Sequence, residues 1–234
     1  MDTSKVAVAT ITQARSPGEE ATLGRSLARL ADAGLPIAVA DRSSSPTFVA
    51  VAKRCSTAYV AVPPDQGLVA QVKASVALAS TFGRPSILYV EPDKELFFEV
   101  HLHAFVRRAA DDADVGIVVA SRSHISMQTY PHMQRYTEEV INRLVGESIE
   151  CPGDYSYGPF LMHPAVVPCL ADLDDRLGWG WRHRVFLTAH RLGSRVTHVV
   201  GDYECPCDQS GESDADRIHR MRQLSQNILG LVDD

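Results

Sequence analysis

SILYVEPDKE, residues 86–95, passes from an apolar run (Ile87 to Val90) into Glu91 and Asp93 within three residues. The apolar part has the length and composition of a strand covered on both faces. Its acidic end then lies at the rim of a sheet, where two carboxylates one residue apart can offer oxygen ligands to a hard cation such as Mg2+ or Mn2+. The same residues also suit a helix start. Asp93 is placed to cap a helix over KELFFEVHLHAFVRRAADD (94–112), and acidic side chains favour a first turn. Taken alone, the segment allows both readings.

The pattern on either side extends the strand assignment. VAVATIT (6–12), PIAVAD (36–41), AYVAV (58–62) and VGIVVAS (115–121) are short apolar runs. Between them lie helical patterns over 21–34, through FVAVAKR (48–54), and over 66–83, the first and last ending at Gly34 and Gly83. Such alternation predicts βαβ units, hence an α/β fold with a mostly parallel central sheet flanked by helices. Ligands of these sheets collect beyond the carboxyl ends of the strands, where Asp41, Glu91 and Asp93 fall. The second half is less regular. Residues 121–131 lack apolar periodicity and read as a loop, and 136–146 as a helix capped by Gly146. CPGDYSYGPFLMHP (151–164) is turn-rich with a short apolar piece, and 178–193 reads as a helix before a strand at 194–200. A polar stretch (208–216) leads to a helix over 217–232 with Ile218, Met221, Leu224 and Ile228 at helical spacing. That helix could pack on its own domain or on a partner subunit as a homodimer contact. With 234 residues, one domain spanning 1–234 is the expected organisation.

Composition narrows the classes. Apolar residues are 45% and charged residues 22%, ordinary for a globular protein. The net charge is -6, and neither end carries a basic run, which argues against nucleic-acid binding by phosphate neutralisation. A diphosphate ligand would therefore need local help from a metal, a helix N-terminus or a few arginines. No run approaches the 18 or so apolar residues of a transmembrane span, and MDTSKVAVATITQA is too polar-flanked for a signal peptide. The five cysteines, at 55, 151, 169, 205 and 207, include a C-P-C but no C-x-x-C pair. Reduced thiols and a cytoplasmic location are the expectation.

The order of the segments ADRSSS (40–45), DQGLVAQVKASVALA (65–79) and the EPD of 91–93 resembles the nucleotide-sugar-binding half of the GT-A glycosyltransferases. GPF (158–160) and GWGWRHRVF (178–186) are similar to the acceptor half of family-two-like members. Among subgroups the likeness is to the retaining glucosyl-3-phosphoglycerate and mannosylglycerate synthases. The resemblance covers roughly residues 5–200. It implies a nucleotide-sugar half at 1–120, an acceptor half at 121–205 and a C-terminal helix at 206–234. Its partners would be a nucleoside-diphosphate sugar and a small hydroxylated or phosphorylated acceptor, with Mg2+ or Mn2+ as cofactor.

Carried over residue by residue, the resemblance puts Asp41 at the nucleobase or ribose, Lys73 near the nucleotide, and Glu91 and Asp93 on the metal with Asp93 the direct ligand. His198 would be a further metal ligand. Tyr157, Gly158 and Trp179 would border the acceptor, where Tyr155 and Trp181 also fall. Each has a plainer reading: an Asx turn for Asp41, a solvated helix residue for Lys73, a satisfied strand-end histidine for His198, packing for the tryptophans. Arg122, His124 and Arg135 sit beside the irregular segment as phosphate candidates or as surface residues. His101 and His103, two apart on a helix, point to different faces and do not suit one metal.

Two departures stand out. Glu91 replaces the usual aspartate, adding a methylene. Inverting members carry a carboxylate base just after G-W-G, where this chain has Trp181, Arg182 and His183. His183 could serve as base through its near-neutral titration; otherwise the enzyme is retaining, with the leaving diphosphate taking the proton, or the site is inactive. Two alternatives remain: a non-catalytic sugar-nucleotide binder, and a sugar-phosphate nucleotidyltransferase, although the TQARSPGEE loop after the first strand has one glycine and two glutamates where that chemistry wants a basic glycine-rich loop.

Overall fold

A computed structural model describes residues 5–110, 116–206 and 211–232. Seven strands form one sheet: β1 (Val6–Thr12), β2 (Ile37–Asp41), β3 (Ala58–Ala61), β4 (Ser86–Val90), β5 (Ile117–Arg122), β6 (Phe160–Met162) and β7 (Val196–Gly201). They lie in the order β3-β2-β1-β4-β6-β5-β7. β6 runs antiparallel to β4 and β5, and every other pair is parallel. The fully apolar strands of the sequence are those with both faces covered: every residue of β1 and β2 is buried.

The covering helices follow from the local sequence. α1 (Pro17–Asp32) and α2 (Pro46–Cys55) each begin with proline in the first turn and a serine cap, Ser16 and Ser45. With α4 (Leu102–Ala110) they bury Leu27, Leu30, Phe48 and Phe105 on one face of the sheet. α3 (Leu68–Ser80), α6 (His132–Ile149) and α7 (Trp181–Arg191) cover the other, closing over Tyr89, Phe160 and Trp181. Each large side chain so buried contributes about 1.5–3 kcal/mol.

Several sequence expectations change. Residues 121–131 hold a short helix, α5 (His124–Met127), capped by the Ser123 side chain, and its brevity hides any apolar period. The helix expected over 136–146 runs His132–Ile149, with Gly146 inside it; Glu150, at φ 57, makes the left-handed turn at its end. The helix expected from Lys94 starts at Glu95 and passes through a π turn, Phe97–His101, before α4. A 3-10 segment, Asp175–Gly180, precedes α7, broken at Gly178. Residues 111–112, part of the expected α4 helix, and 208–210 of the polar stretch, with Cys207, lie outside the described residues. Among the described residues no helix is long and apolar enough to cross a membrane.

Two features of the topology position a site. From β1 the chain builds outward to β2 and β3, then crosses back to β4, so the strand order reverses between β1 and β4 and opens a crevice at their carboxyl ends. Antiparallel β6 also brings the residues before it to that same edge: Phe160 pairs Tyr89, which sets Tyr157 and Gly158 beside Glu91.

Candidate functional site

A cavity of about 270 Å³ opens at this edge. Glu91, Asp93 and Lys94 reach it from the end of β4, Arg122 from the end of β5, and Ser156 and Tyr157 from the approach to β6. Trp179 comes from the 3-10 segment before α7, Arg182 and His183 from the start of α7, and α8 (Asp214–Val232) lies across the top with His219, Arg220 and Gln223. α8 is held by a close backbone crossing, since a Cβ on Gly230 would meet the Gly180 carbonyl oxygen at 2.2 Å. The Trp179 amide donates to Gln226 Oε1 at 3.2 Å, and Arg220 Nη2 donates to Gln134 Oε1 at 2.8 Å.

Glu91 does not project freely from its strand. It is buried, and its Oε1 accepts from Arg182 Nη2 in an ion pair whose side chains are 7% and 8% exposed. Glu91 Oε2 and Arg182 Nε are buried without a protein partner. Gly158 makes the space: at φ 130 it adopts a backbone few other residues tolerate, and a Cβ there would stand 2.3 Å from Glu91 Oε2. Asp93 is more accessible, with its side chain 53% exposed and paired to Lys94 Nζ at 2.8 Å. Partial desolvation raises its carboxyl, but the Lys94 ammonium outweighs this and holds it below the usual value.

Arg122 anchors the far wall. Its side chain is fully buried, with Nε on Asp154 Oδ2 at 2.6 Å and Nη2 on Glu138 Oε2 at 2.5 Å. Asn142 also donates to Asp154, at 2.9 Å. Burial works against the Arg122 charge, but Asp154 and Glu138 more than compensate and hold it protonated. Arg122 Nη1 has no protein partner. The guanidinium lies 4.5 Å over the Tyr130 ring and 5.5 Å over that of Tyr157, which stacks on Tyr203 at 5.0 Å. Sequence singled out Arg122 but not its partners; Glu138, Asn142 and Asp154 come from 16 to 32 residues away and carry no local signal.

The structure thus gathers Glu91, Asp93, Tyr157, Trp179, Arg182 and His183 around one cavity, with Gly158 packed behind Glu91. The others lie elsewhere. Asp41 ends β2 buried, its carboxylate accepting from Thr12 Oγ1 at 2.7 Å, Ser44 Oγ at 2.6 Å and Tyr59 at 3.4 Å. Lys73 donates to the Ala171 and Leu173 carbonyls, tying α3 to the segment before α7. His198 is on β7 with its ring 4.6 Å from Tyr155 and under Gly153, away from Glu91 and Asp93. The three-residue metal set is therefore not assembled, and no cluster of three such ligands occurs among the described residues. His183 also departs from expectation: burial, and then the Arg182 charge, push it down to about 3, which removes the near-neutral titration expected of it. Of the phosphate candidates, His124 is exposed on α5 and Arg135 donates to Gln128. Tyr155 and Trp181 are fully buried in the core. His101 packs on Tyr203 at 5.1 Å.

A divalent cation fits this cavity in part. The donor chemistry is right, with Asp93 accessible and Glu91 Oε2 free of protein partners, but Glu91 Oε1 is committed to Arg182.

No protein-family model matches the chain, and neither does any curated protein. Solved structures of glucosyl-3-phosphoglycerate synthase from Mycobacterium tuberculosis do. One, in complex with Mn2+, uridine diphosphate and phosphoglyceric acid, shares 15% identity over 97% of this chain and 77% of that one, at a TM-score of 0.64. Another, with Mn2+, UDP-glucose and glycerol 3-phosphate, shares 13% over 97% and 79%, at 0.62. A third, with Mg2+ and uridine diphosphate, shares 15% over 95% and 79%, at 0.56. The chain therefore has the GT-A-like α/β fold of the glucosyl-3-phosphoglycerate synthases that its sequence resembles.

Proposed function

We propose that the chain is a metal-dependent glycosyltransferase that moves a sugar from a nucleoside-diphosphate sugar to a small hydroxylated or phosphorylated acceptor. The observation that supports this reading is the charge pattern at the strand-order reversal. Glu91, Asp93, Glu138 and Glu204 face Lys94, Arg122, Arg182 and Arg220 across one cavity. Such a site is close to neutral, so a divalent cation would leave it positive enough for a diphosphate. Asp93 would hold the cation, with Glu91 Oε2 as a second oxygen, and the cation would neutralise charge on the leaving diphosphate. The similar synthases bind Mn2+ or Mg2+ with UDP at this fold. The guanidinium groups of Arg122 and Arg182 line the cavity, where their charge would favour an anionic group of donor or acceptor.

Transfer breaks the bond between the sugar's anomeric carbon and the diphosphate oxygen and forms one to the acceptor oxygen. No carboxylate stands at the start of α7, and His183 is too weak a base at neutral pH. The acceptor proton then goes to the departing diphosphate, which favours a retaining outcome. Asp41 orders the loops after β1 and β2, which would rim the nucleoside.

The test is a thermal-shift screen of UDP, GDP and their sugars with and without Mn2+. A nucleotide should stabilise only with metal, and Asp93→Asn should abolish that shift. Unchanged metal dependence in Asp93→Asn sinks the metal assignment. The buried Glu91–Arg182 pair also favours a second reading, a sugar-nucleotide binder without turnover; binding with no transfer or hydrolysis across an acceptor panel would select it.

A further inference from the structure

Asp93 is the carboxylate to which the proposed chemistry assigns a cation, and the chain already sets one on it. Lys94 Nζ lies 2.9 Å from Asp93 Oδ1 and 2.8 Å from Oδ2, so the ammonium spans both oxygens. In a strand these two neighbours would point to opposite faces. Here the turn at Pro92 and Asp93 folds them together, and the Lys94 carbonyl, accepting the Phe98 amide at 3.1 Å, fixes the backbone where the next helix starts. The lysine stem is packed as well: its side chain is 21% exposed against 53% for Asp93. Its ammonium is 5.9 Å from the centre of the Tyr157 ring, and its Cε is 3.4 Å from where a Cβ on Gly158 would stand. Arg122, Arg182 and Arg220, which share the cavity, are engaged by side chains other than Asp93.

We infer that Lys94 is a tethered competitor for the metal position: its ammonium holds the Asp93 oxygens in the metal-free chain and must swing away before they can ligate a divalent cation. The inference rests on the proposed function, which gives Asp93 to the metal. Two positive charges seated on one carboxylate repel each other, so ammonium and dication exclude one another there. Lys94 has an alternative partner in that same reaction. Its four-carbon stem is flexible, and a diphosphate at the strand ends offers the ammonium oxygens in exchange for those of Asp93. Lys94 is therefore a positioning residue with two effects. It weakens metal binding to the free chain, and it releases Asp93 when the nucleotide's diphosphate takes the ammonium. Such coupling is reciprocal, so metal and nucleotide each favour the binding of the other.

Calorimetric titration of the full chain with Mn2+ tests this without turnover, first with metal alone and then with whichever of UDP and GDP the thermal-shift screen selects. Lys94→Met keeps the packed stem and drops the charge, so it should bind Mn2+ alone at least about tenfold more tightly than wild type. Lys94→Arg keeps a cation at the same place and should stay within about threefold of wild type. The nucleotide should tighten Mn2+ binding by a factor at least about tenfold larger in wild type than in Lys94→Met. Equal Mn2+ affinities in wild type and Lys94→Met, or weaker binding in the variant, would overturn the inference and leave Asp93 standing as the metal ligand. No Mn2+ binding by either chain, with or without nucleotide, would overturn the inference and the proposed function together.

Discussion

Arg182 and Glu91 are nearly fully buried and answer each other, so removing one should cost much more than removing both. In Arg182→Met, Glu91 loses its one hydrogen bond to the protein side chains around it, because Oε2 already has no partner. In Glu91→Met, Arg182 keeps only a long contact from Nη1 to the Ser156 carbonyl at 3.5 Å. Stranding either charge costs about 3–5 kcal/mol, and a chain of this size loses roughly 2–4 °C in Tm per kcal/mol, so each single variant should melt about 6–20 °C lower. The double variant, with no buried charge left, should return to within about 1–2 kcal/mol of wild type. Urea unfolding of the four proteins gives the coupling energy as a double-mutant cycle. Single costs that simply add, to within about 0.5 kcal/mol, would refute the reasoning, for they would mean that each charge is solvated without the other. The double variant also isolates the metal question: a Mn2+-dependent nucleotide shift that survives in it rests on Asp93 alone.

Other perturbations follow from single observations. Gly158→Ala combines a left-handed backbone with a Cβ 2.3 Å from Glu91 Oε2, so it should cost at least about 1–3 kcal/mol in denaturant unfolding; an unchanged midpoint would contradict the close packing. Asp175→Ala removes the carboxylate that accepts from the amides of Gly67, Val69 and Ala70 and caps α3 from another segment, at a cost of about 1–2 kcal/mol by the same assay. His183 gives a pH signature. Its folded value of about 3 lies below the unfolded 6.5, so its contribution is complete above pH 6.5 and declines as pH falls toward 3. Between those limits stability should drop about 1.4 kcal/mol per pH unit from this group, and His183→Gln should remove that part of the slope; an identical slope in the variant would show that the imidazole is solvated.

What the sequence reveals of this fold is what a local period can encode. β1, β2, β4 and β5 are continuous apolar runs because a sheet sandwiched between helices demands it, and they were legible for that reason. β6 was visible only as three apolar residues, and nothing in Phe160–Met162 says that it inserts antiparallel between β4 and β5. Yet that insertion delivers Tyr157 and Gly158 to the cavity. The carboxylates of EPD were legible as residues at a sheet edge, but their partners were not. Arg182 is 91 positions from Glu91, and Asp175 caps a helix more than 100 positions away. Asp41 looked like a nucleoside contact because of where it stands; Ser44, three residues on, makes the local turn that the sequence also allowed, whereas Thr12 and Tyr59 are brought to its oxygens by tertiary packing. His198 fails as a partner of Asp93 for the same reason, since strand position alone does not say which face of β7 meets which loop.

The two departures from the glycosyltransferase pattern turn out to be one feature. A glutamate stands where an aspartate is usual, and an arginine follows G-W-G where inverting members carry a carboxylate. Read separately, the first weakens a metal ligand and the second removes a base. In the folded chain they meet: the extra methylene lets Glu91 reach Arg182, and Gly158 leaves room for the pair. Removing either partner alone would leave the other buried charge unpaired. The pair is neutral as a whole and leaves Asp93 as the accessible acid at the end of β4. Under the proposed function, a site with Arg182 in place of a carboxylate suits holding an anionic leaving group better than abstracting a proton, which is what the proposed retaining outcome requires.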